Sequence, residues 1–411
     1  MPALALLAAA LLAGEAAAVA PPEPDDPAPA RDIGWYAIPN VGFDTDDGLG
    51  FGGRVEVAWK DPAYNPYRQA LVIQGYTTVT GYHHHRVRYD RLGMGQEGRL
   101  RLTVHLAYRQ WKNDGYWGIG NGTTRERGYA GPFTFDDPER RRYRYSLVQP
   151  FAQVVARQAL SDGGPWSVYG AFNPKWSRVT PYDISILGEH RPYGMDGGLG
   201  LQVLGGVVYD TRRPEVAPHG GVLLELGGRF TPDLGGEAGG FGGPMVSARH
   251  FVGLGDRVVL ASRFAAEWLL GSVPFYEMVH WGGLVPMQGF GGFETLRGIR
   301  FGRWRAPGKA IANTELRVRV LTHPVGETTL GWELAPFAEA GSVWGAGDAA
   351  TAPAPDQPFH PAVGGGLRLV FDEIFVGRLD YGVGWDPVTE PDGRQTVART
   401  TGIYLVFDYP Y

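Results

Sequence analysis

The chain has 411 residues with a net charge of −5, no cysteine, 62 glycines and 12% aromatic residues. A mildly acidic balance points away from a nucleic-acid partner. Missing cysteine fits an oxidising compartment. A Gly- and aromatic-rich composition with only 44% hydrophobic residues suits strands that face lipid on one side and water on the other.

Residues 1–20 form a short apolar run ending in Ala16-Ala17-Ala18-Val19-Ala20, the pattern of a cleaved signal peptide. The run has no Lys or Arg at its start and carries Glu15. Residues 21–32, from Pro21 to Asp32, are Pro-rich and polar, as in a linker. No later stretch holds about 18 consecutive apolar residues, so no transmembrane helix is expected.

From residue 33 to 411 the texture is uniform: short alternating runs punctuated by Gly, Asp, Asn and Pro. Between Arg54 and Lys60, Val55, Val57 and Trp59 oppose Arg54, Glu56 and Lys60. Between Arg99 and Arg109, Leu100, Leu102, Val104, Leu106 and Tyr108 oppose Arg99, Arg101, Thr103, His105 and Arg109. Leu316, Val318 and Val320 oppose Asn313, Glu315, Arg317 and Arg319, and further on Phe375, Leu379 and Tyr381 oppose Arg378 and Asp380. Period two is the signature of a strand with one apolar and one polar face. A soluble sandwich alternates too, but its strands usually run about 5–6 residues. Several runs here reach the roughly 9–11 residues a tilted strand needs to cross a bilayer. The expected fold is therefore all-β: a transmembrane antiparallel β-barrel of about 16 strands, polar in the lumen and apolar outside. The strands are predicted near 34–43, 50–60, 69–79, 84–93, 99–111, 143–157, 164–178, 196–210, 221–230, 243–253, 257–269, 310–321, 328–343, 360–371, 374–384 and 400–409. Long connections fall mostly after odd-numbered strands and tight turns after even ones, which places both termini on the periplasmic side of a bacterial outer membrane.

Five segments carry a resemblance. Tyr116-Trp117-Gly118-Ile119-Gly120-Asn121 comes first. Asp210-Thr211-Arg212 with Pro218-His219-Gly220 follows. Leu296-Arg297-Gly298-Ile299, Arg303-Trp304-Arg305 with Asn313-Thr314-Glu315-Leu316-Arg317, and Phe337-Ala338-Glu339-Ala340-Gly341 complete the series. In this order they resemble motifs of the BamA/TamA family of outer-membrane barrels, also known as bacterial surface antigens. Two departures stand out: Ile299 where that family usually has Phe or Tyr, and Glu339 where it usually has Asp. The resemblance implies that a long sixth outer loop folds into the lumen and that Arg297 and Gly298 are held there by Glu339 beside Gly341. Parity supports this, because Glu333 and Glu339 fall opposite Leu330, Trp332 and Leu334. A guanidinium and a carboxylate match bidentately.

The last strand ends in alternating apolar positions. Gly402, Leu405 and Phe407 resemble an outer-membrane insertion signal, with Asp408 to Tyr411 extending beyond it. Such a segment suits capture by strand addition. Pro39 is expected to interrupt the first strand and Pro410 to sit at the end of the last: either their closure is weakly paired, as suits the family's lateral gate, or the prolines simply collect at the barrel rim.

Other clusters carry less. Of His83, His84 and His85, the middle one must face away from its neighbours, so no metal site is expected. Asp44-Thr45-Asp46-Asp47-Gly48 lacks the rest of a calcium loop and reads as a hairpin turn. Gly205-Gly206 and the Gly-rich stretch 234–243 lack a phosphate-loop context. No nucleophile–base arrangement stands out, so neither enzymatic activity nor a cofactor is expected. The resemblance implies outer-membrane protein assembly or translocation. Its implied partners are outer-membrane lipids, client barrels and the barrel assembly machinery, and the periplasmic POTRA repeats of the family are expected to be missing. The rival readings are a passive porin-like channel and a surface antigen without insertase activity.

Overall fold

The structure is a computed structural model that describes residues 33–95, 97–126, 138–213, 217–326, 328–345, 359–371 and 375–407. The expected signal peptide (1–20), the linker (21–32) and residues 408–411 lie outside the described residues.

Sixteen long strands follow one another: β1 Ile33–Asp44, β2 Gly48–Asp61, β3 Tyr64–Thr78, β4 Tyr82–Met94, β5 Leu100–Gly115, β6 Arg144–Ala159, β7 Trp166–Pro181 and β8 Gly198–Asp210. The second half comprises β9 Gly221–Thr231, β10 Phe241–Gly253, β11 Val258–Trp268, β12 Gly308–Val325, β13 Thr328–Trp344, β14 His360–Phe371, β15 Phe375–Thr389 and β16 Gln395–Phe407. Each corresponds to one strand of the sequence-based series. Each pairs antiparallel with its neighbours in sequence, and β16 returns to β1, closing a 16-stranded barrel. Closure pairs the strands on both sides, as a sheet in lipid requires, with the junction of β1 and β16 the sparsest. The strands run between 11 and 18 residues.

Several strands run further than alternation alone marks. β5 reaches Gly115 and β15 reaches Thr389, the latter continued by a tight turn closed between Glu390 and Arg394. β16 begins at Gln395 rather than 400, paired with β15 from Thr389 downward. Pro39 does not interrupt β1: the ladder to β2 runs through Pro39 opposite Gly53 without a break. Proline's fixed φ is compatible with a strand at an edge.

The side chains divide as the alternation requires. Outside stand Trp35, Leu106, Leu226, Phe230, Leu334, Leu379 and Tyr381, all exposed. Inside lie Glu225, Arg229, Arg263, Glu267, Lys309, Glu315, Arg317, Glu333, Glu339, Arg368, Arg378 and Asp380, all buried. Leu330, placed by parity on the outer face, is instead buried near the turn end of β13.

One end of the barrel carries short connections such as 254–257; the other carries 116–143, 182–197 and 269–307. The last of these does not stand above the rim. Its Trp281, Met287, Phe290, Leu296, Ile299, Trp304 and Ala306 form an apolar cluster with Ala265, Ile311, Val343 and Ala362 of the wall. A second cluster joins Phe275 and Tyr276 of that loop to Tyr116, Trp117, Tyr145, Ile186 and Leu187. Ile186 and Leu187 belong to α1, Ile186–His190, in the loop after β7. The hydrophobic core of this molecule thus sits within the ring, built by loops rather than by a second sheet.

Candidate functional site: the loop anchored in the lumen

Three charged anchors fasten the loop 269–307, beside single hydrogen bonds such as Leu284 N–H to Glu225 and Phe301 N–H to Asp46. The deepest is Arg297, whose side chain is fully buried. Its backbone N–H donates to Glu339 Oε2 at 2.6 Å and its Nε donates to Glu339 Oε1 at 2.9 Å. Its Nη1 donates to Glu315 Oε2 at 2.8 Å and to Asp380 Oδ2 at 3.1 Å. The guanidinium lies 3.5 Å from the centroid of the Phe337 ring, a cation–π contact in a desolvated setting. Glu315 and Asp380 are shared with the wall: Arg368 donates to both, at 2.7 and 2.5 Å, Arg317 to Glu315 and Arg378 to Asp380. Four guanidinium groups therefore surround three carboxylates on four adjacent strands, β12 to β15. Removing one member of such a buried set strands the others, at about 3–5 kcal/mol.

Glycines make the fit possible. Gly298 has a φ of +98°, and a Cβ there would lie 2.5 Å from the Val383 backbone nitrogen. The Gly298 N–H donates to Tyr404 Oη at 3.0 Å, and the Gly298 carbonyl accepts from Thr400 at 2.7 Å. Both residues belong to β16, so the turn at Gly298 touches the closing strand. Gly341 leaves room for Phe290, whose ring would stand 2.5 Å from an added Cβ. The segment Phe337-Ala338-Glu339-Ala340-Gly341 thus presents a ring under the guanidinium, a carboxylate beside it and a gap for a loop phenylalanine, all on one strand face.

The second anchor is Arg303-Trp304-Arg305. Arg303 donates to Asp386 Oδ1 at 2.7 Å and to the hydroxyl and carbonyl of Thr123, while Arg125 reaches the other Asp386 oxygen. Trp304 stacks on His360, and His360 Nε2 lies 2.6 Å from Asn121 Oδ1. Arg305 donates to the Gly115 carbonyl at 2.6 Å and returns its own carbonyl to the Gly120 N–H. The segment Tyr116–Asn121 is thereby fastened to the sixth loop.

The third anchor carries no sequence expectation. Arg229 donates to both oxygens of Glu267 and to Glu277; Lys309 caps Glu267 and Lys175 caps Glu277, each at 2.5 Å. Glu277 is a loop residue outside any alternating run, so periodicity cannot flag it. Further along the loop, burial pushes the Glu294 carboxyl up, and its Oε2 accepts the Gln288 N–H at 2.6 Å.

Of the residues marked on the last strand, Gly402 faces Gly382, and the Tyr404 ring lies over it; a Cβ at Gly402 would sit 2.2 Å from Tyr404 Oη. Leu405 lies opposite Leu379 on one side and Phe43 on the other, and Phe407 lies opposite Gly377. The closure itself is thin. β1 pairs with β2 at every one of its 12 residues, whereas among the described residues it meets β16 only at Phe43–Leu405 and Asp44–Tyr404. The Thr45 hydroxyl adds a bridge to the backbone of Ile403. His83 and His85 share the outer face near Tyr108, while His84 belongs to the other. The turn Asp210–Arg212 is closed by Arg212 gripping Asp210, and Arg213 pairs with Gly220.

The family model described as the Omp85 superfamily domain matches residues 198–405, a span that holds the loop 269–307, every named partner of Arg297 and most of β16. Among solved structures, BamA from Haemophilus ducreyi lacking POTRA domains 1–3 superposes with a TM-score of 0.57 at 12% identity, over 92% of this chain and 70% of that one. CdiB from Escherichia coli superposes with a TM-score of 0.53 at 14% identity, over 92% of this chain and 63% of that one. No curated protein matches the chain.

Proposed function

The chain belongs to the Omp85 superfamily, and from that premise we propose that it is an outer-membrane barrel that inserts or translocates other proteins at the seam between β1 and β16. The observation that carries this reading is the seam itself. Among the described residues, two pairs close the ring there, against thirteen between β15 and β16. Each missing pair removes ladder hydrogen bonds, and unpaired strand edges are templates for an incoming strand. The sixth loop, welded to β12–β15 and touching β16 through Gly298, also reaches across the seam to the β1–β2 turn, where the Phe301 N–H donates to Asp46 Oδ2 at 3.0 Å, so that β1 is tied at its loop end. Client barrels and the assembly machinery are the partners this reading implies, and the terminal segment with Gly402, Leu405 and Phe407 would serve as the chain's own insertion signal.

A passive channel is the competing reading. It accords poorly with a lumen that holds three buried anchors and an apolar cluster. The two differ in what locking the seam does. The native chain has no cysteine, so Phe43→Cys with Leu405→Cys gives a single engineered crosslink between directly opposed residues. In liposomes, the oxidised form is expected to lose the ability to speed folding of client barrels, with recovery on reduction. Equal activity in both forms would refute insertion at this seam, and a steady conductance unaffected by the crosslink would favour the channel.

A further inference from the structure

The part of the lumen that the sixth loop leaves open is not neutral. Between the loop and the end with short connections, the inner faces of β2–β6 carry Arg54, Arg86, Arg88, Arg101 and Arg157 against Glu56 and Asp90. The register sets them side by side: Arg54 and Arg86 flank Gln74, Arg88 lies opposite His105, and Arg101 lies opposite Arg157. Both carboxylates are committed. Glu56 accepts from Arg54 and from the Tyr36 hydroxyl, each at 2.5 Å, and Asp90 from Arg101 at 2.5 Å and from Thr103 at 2.6 Å. Arg86 and Arg157 donate to neutral groups, the Gln74 amide oxygen and the Ser167 hydroxyl. Arg88 makes no hydrogen bond or ion pair with any described residue, and it is exposed although it faces inward. Like charges directly opposite one another weaken a sheet, and Arg101 with Arg157 is such a pair. Positive charge kept in excess at that cost marks a surface made to receive an anion.

This row of arginines ends beside an apolar surface. Arg157 lies next to Tyr169, which it faces across β6 and β7. Tyr169, Leu204 and Val208 receive Leu284 from the tip of the sixth loop. The Leu284 N–H donates to Glu225 at 2.6 Å, near the start of β9 and so near the end with short connections. The next two residues, Val285 and Pro286, are exposed inside the ring, Val285 at 62%. Arginines that adjoin an open apolar tip complement a chain carrying carboxylates and apolar side chains together. An anionic polysaccharide offers the charge without the apolar groups.

We propose that this wall captures an acidic, partly apolar polypeptide segment entering from the end with short connections. Separate carboxylates of the segment meet the arginines along the row from Arg88 to Arg157, and its apolar side chains lie against Val285 and Pro286. The inference rests on the reading of the barrel as one that handles other proteins, and it names the class of segment taken.

The test is fluorescence anisotropy on the whole barrel in detergent micelles. The probe is a fluorescein-labelled peptide rich in Glu and Leu, with controls in which Gln replaces Glu or Ser replaces Leu. Wild type is expected to bind the first and to lose most affinity for either control. Arg88 has no bond to break, so its substitution leaves folding intact, which unheated gel mobility verifies. An exposed charge pair is worth up to about a factor of five, so Arg88→Gln is expected to weaken binding about threefold and Arg88→Glu about tenfold. Val285→Ser is expected to weaken binding of the Leu-bearing peptide only. Arg91→Gln, on the outer face of the same strand as Arg88, is expected to change nothing. Equal binding of the Glu and Gln peptides, an Arg88→Glu barrel that binds as wild type does, or an equal loss in Arg91→Gln would overturn the proposal. So would equal displacement by polygalacturonate of matched charge, which would assign the wall to a polysaccharide. Binding is read on the barrel alone, so it stands or falls whatever the seam crosslink does to client folding.

Discussion

The lumen faces of β2–β5 and of β12–β15 carry the same chemistry in different surroundings. On β12–β15, Arg297 of the loop and Arg368, Glu315 and Asp380 of the wall have no exposed side-chain surface. On the other face, Arg54 pairs with Glu56, Arg68 with Asp61 and Arg101 with Asp90, yet the arginine side chains remain between 27% and 37% exposed. Both regions obey the same alternation, but the sixth loop reaches β2–β5 only at their loop ends, where Phe301 lies against Trp111 and Arg305 bonds Gly115, and leaves these three pairs uncovered. An ion pair open to solvent is worth about 0–1 kcal/mol, whereas breaking an enclosed one costs several times more. The barrel is therefore unequal: a wall braced by enclosed ion pairs ends at β16, one with open pairs begins at β1, and two residue pairs join them among the described residues.

Substitutions on the two faces should separate accordingly. Arg297→Ala leaves Glu339, Glu315 and Asp380 without their shared cation, and about 3–5 kcal/mol of stability is expected to go. A lower temperature for the shift from folded to unfolded gel mobility would register it. Gly298→Ala forces a side chain into a left-handed backbone position against Val383, with an expected loss of about 1–3 kcal/mol read from the same shift. Arg54→Ala, on the uncovered face, is expected to change stability by under about 1 kcal/mol and to leave the gel transition where it was. A large effect of Arg54→Ala would erase the contrast; an effect of Gly298→Ala larger than that of Arg297→Ala would transfer the anchoring role from charge to backbone fit.

Much of this architecture is legible in the residues because a membrane barrel writes its faces into the chain with period two. Sixteen strands, the inside-out polarity and the asymmetry of the connections all follow from alternation and spacing. Arg297 and Glu339 were brought together by family resemblance, whereas alternation says only that Glu339 faces inward. What alternation cannot give is height. Glu315, Arg368 and Asp380 all point into the lumen by parity, but their convergence on one guanidinium depends on the stagger of four strands. Tyr404 shows the same limit from another side. It opposes Ile403 and Leu405 as alternation requires, but nothing local indicates that its ring lies over Gly402 to reach the loop backbone at Gly298. Glu277 is less accessible still, being held between Lys175 and Arg229 by a loop whose path is set by packing.

The most direct test of the anchored loop is protease access. Barrels of wild type, Arg54→Ala and Arg297→Ala, refolded into liposomes, would be exposed to chymotrypsin from the loop side, and cleavage within 269–307 followed by mass. Protection in the first two with rapid cutting in Arg297→Ala is the expected pattern. A loop in Arg297→Ala that resists as wild type does would contradict the account.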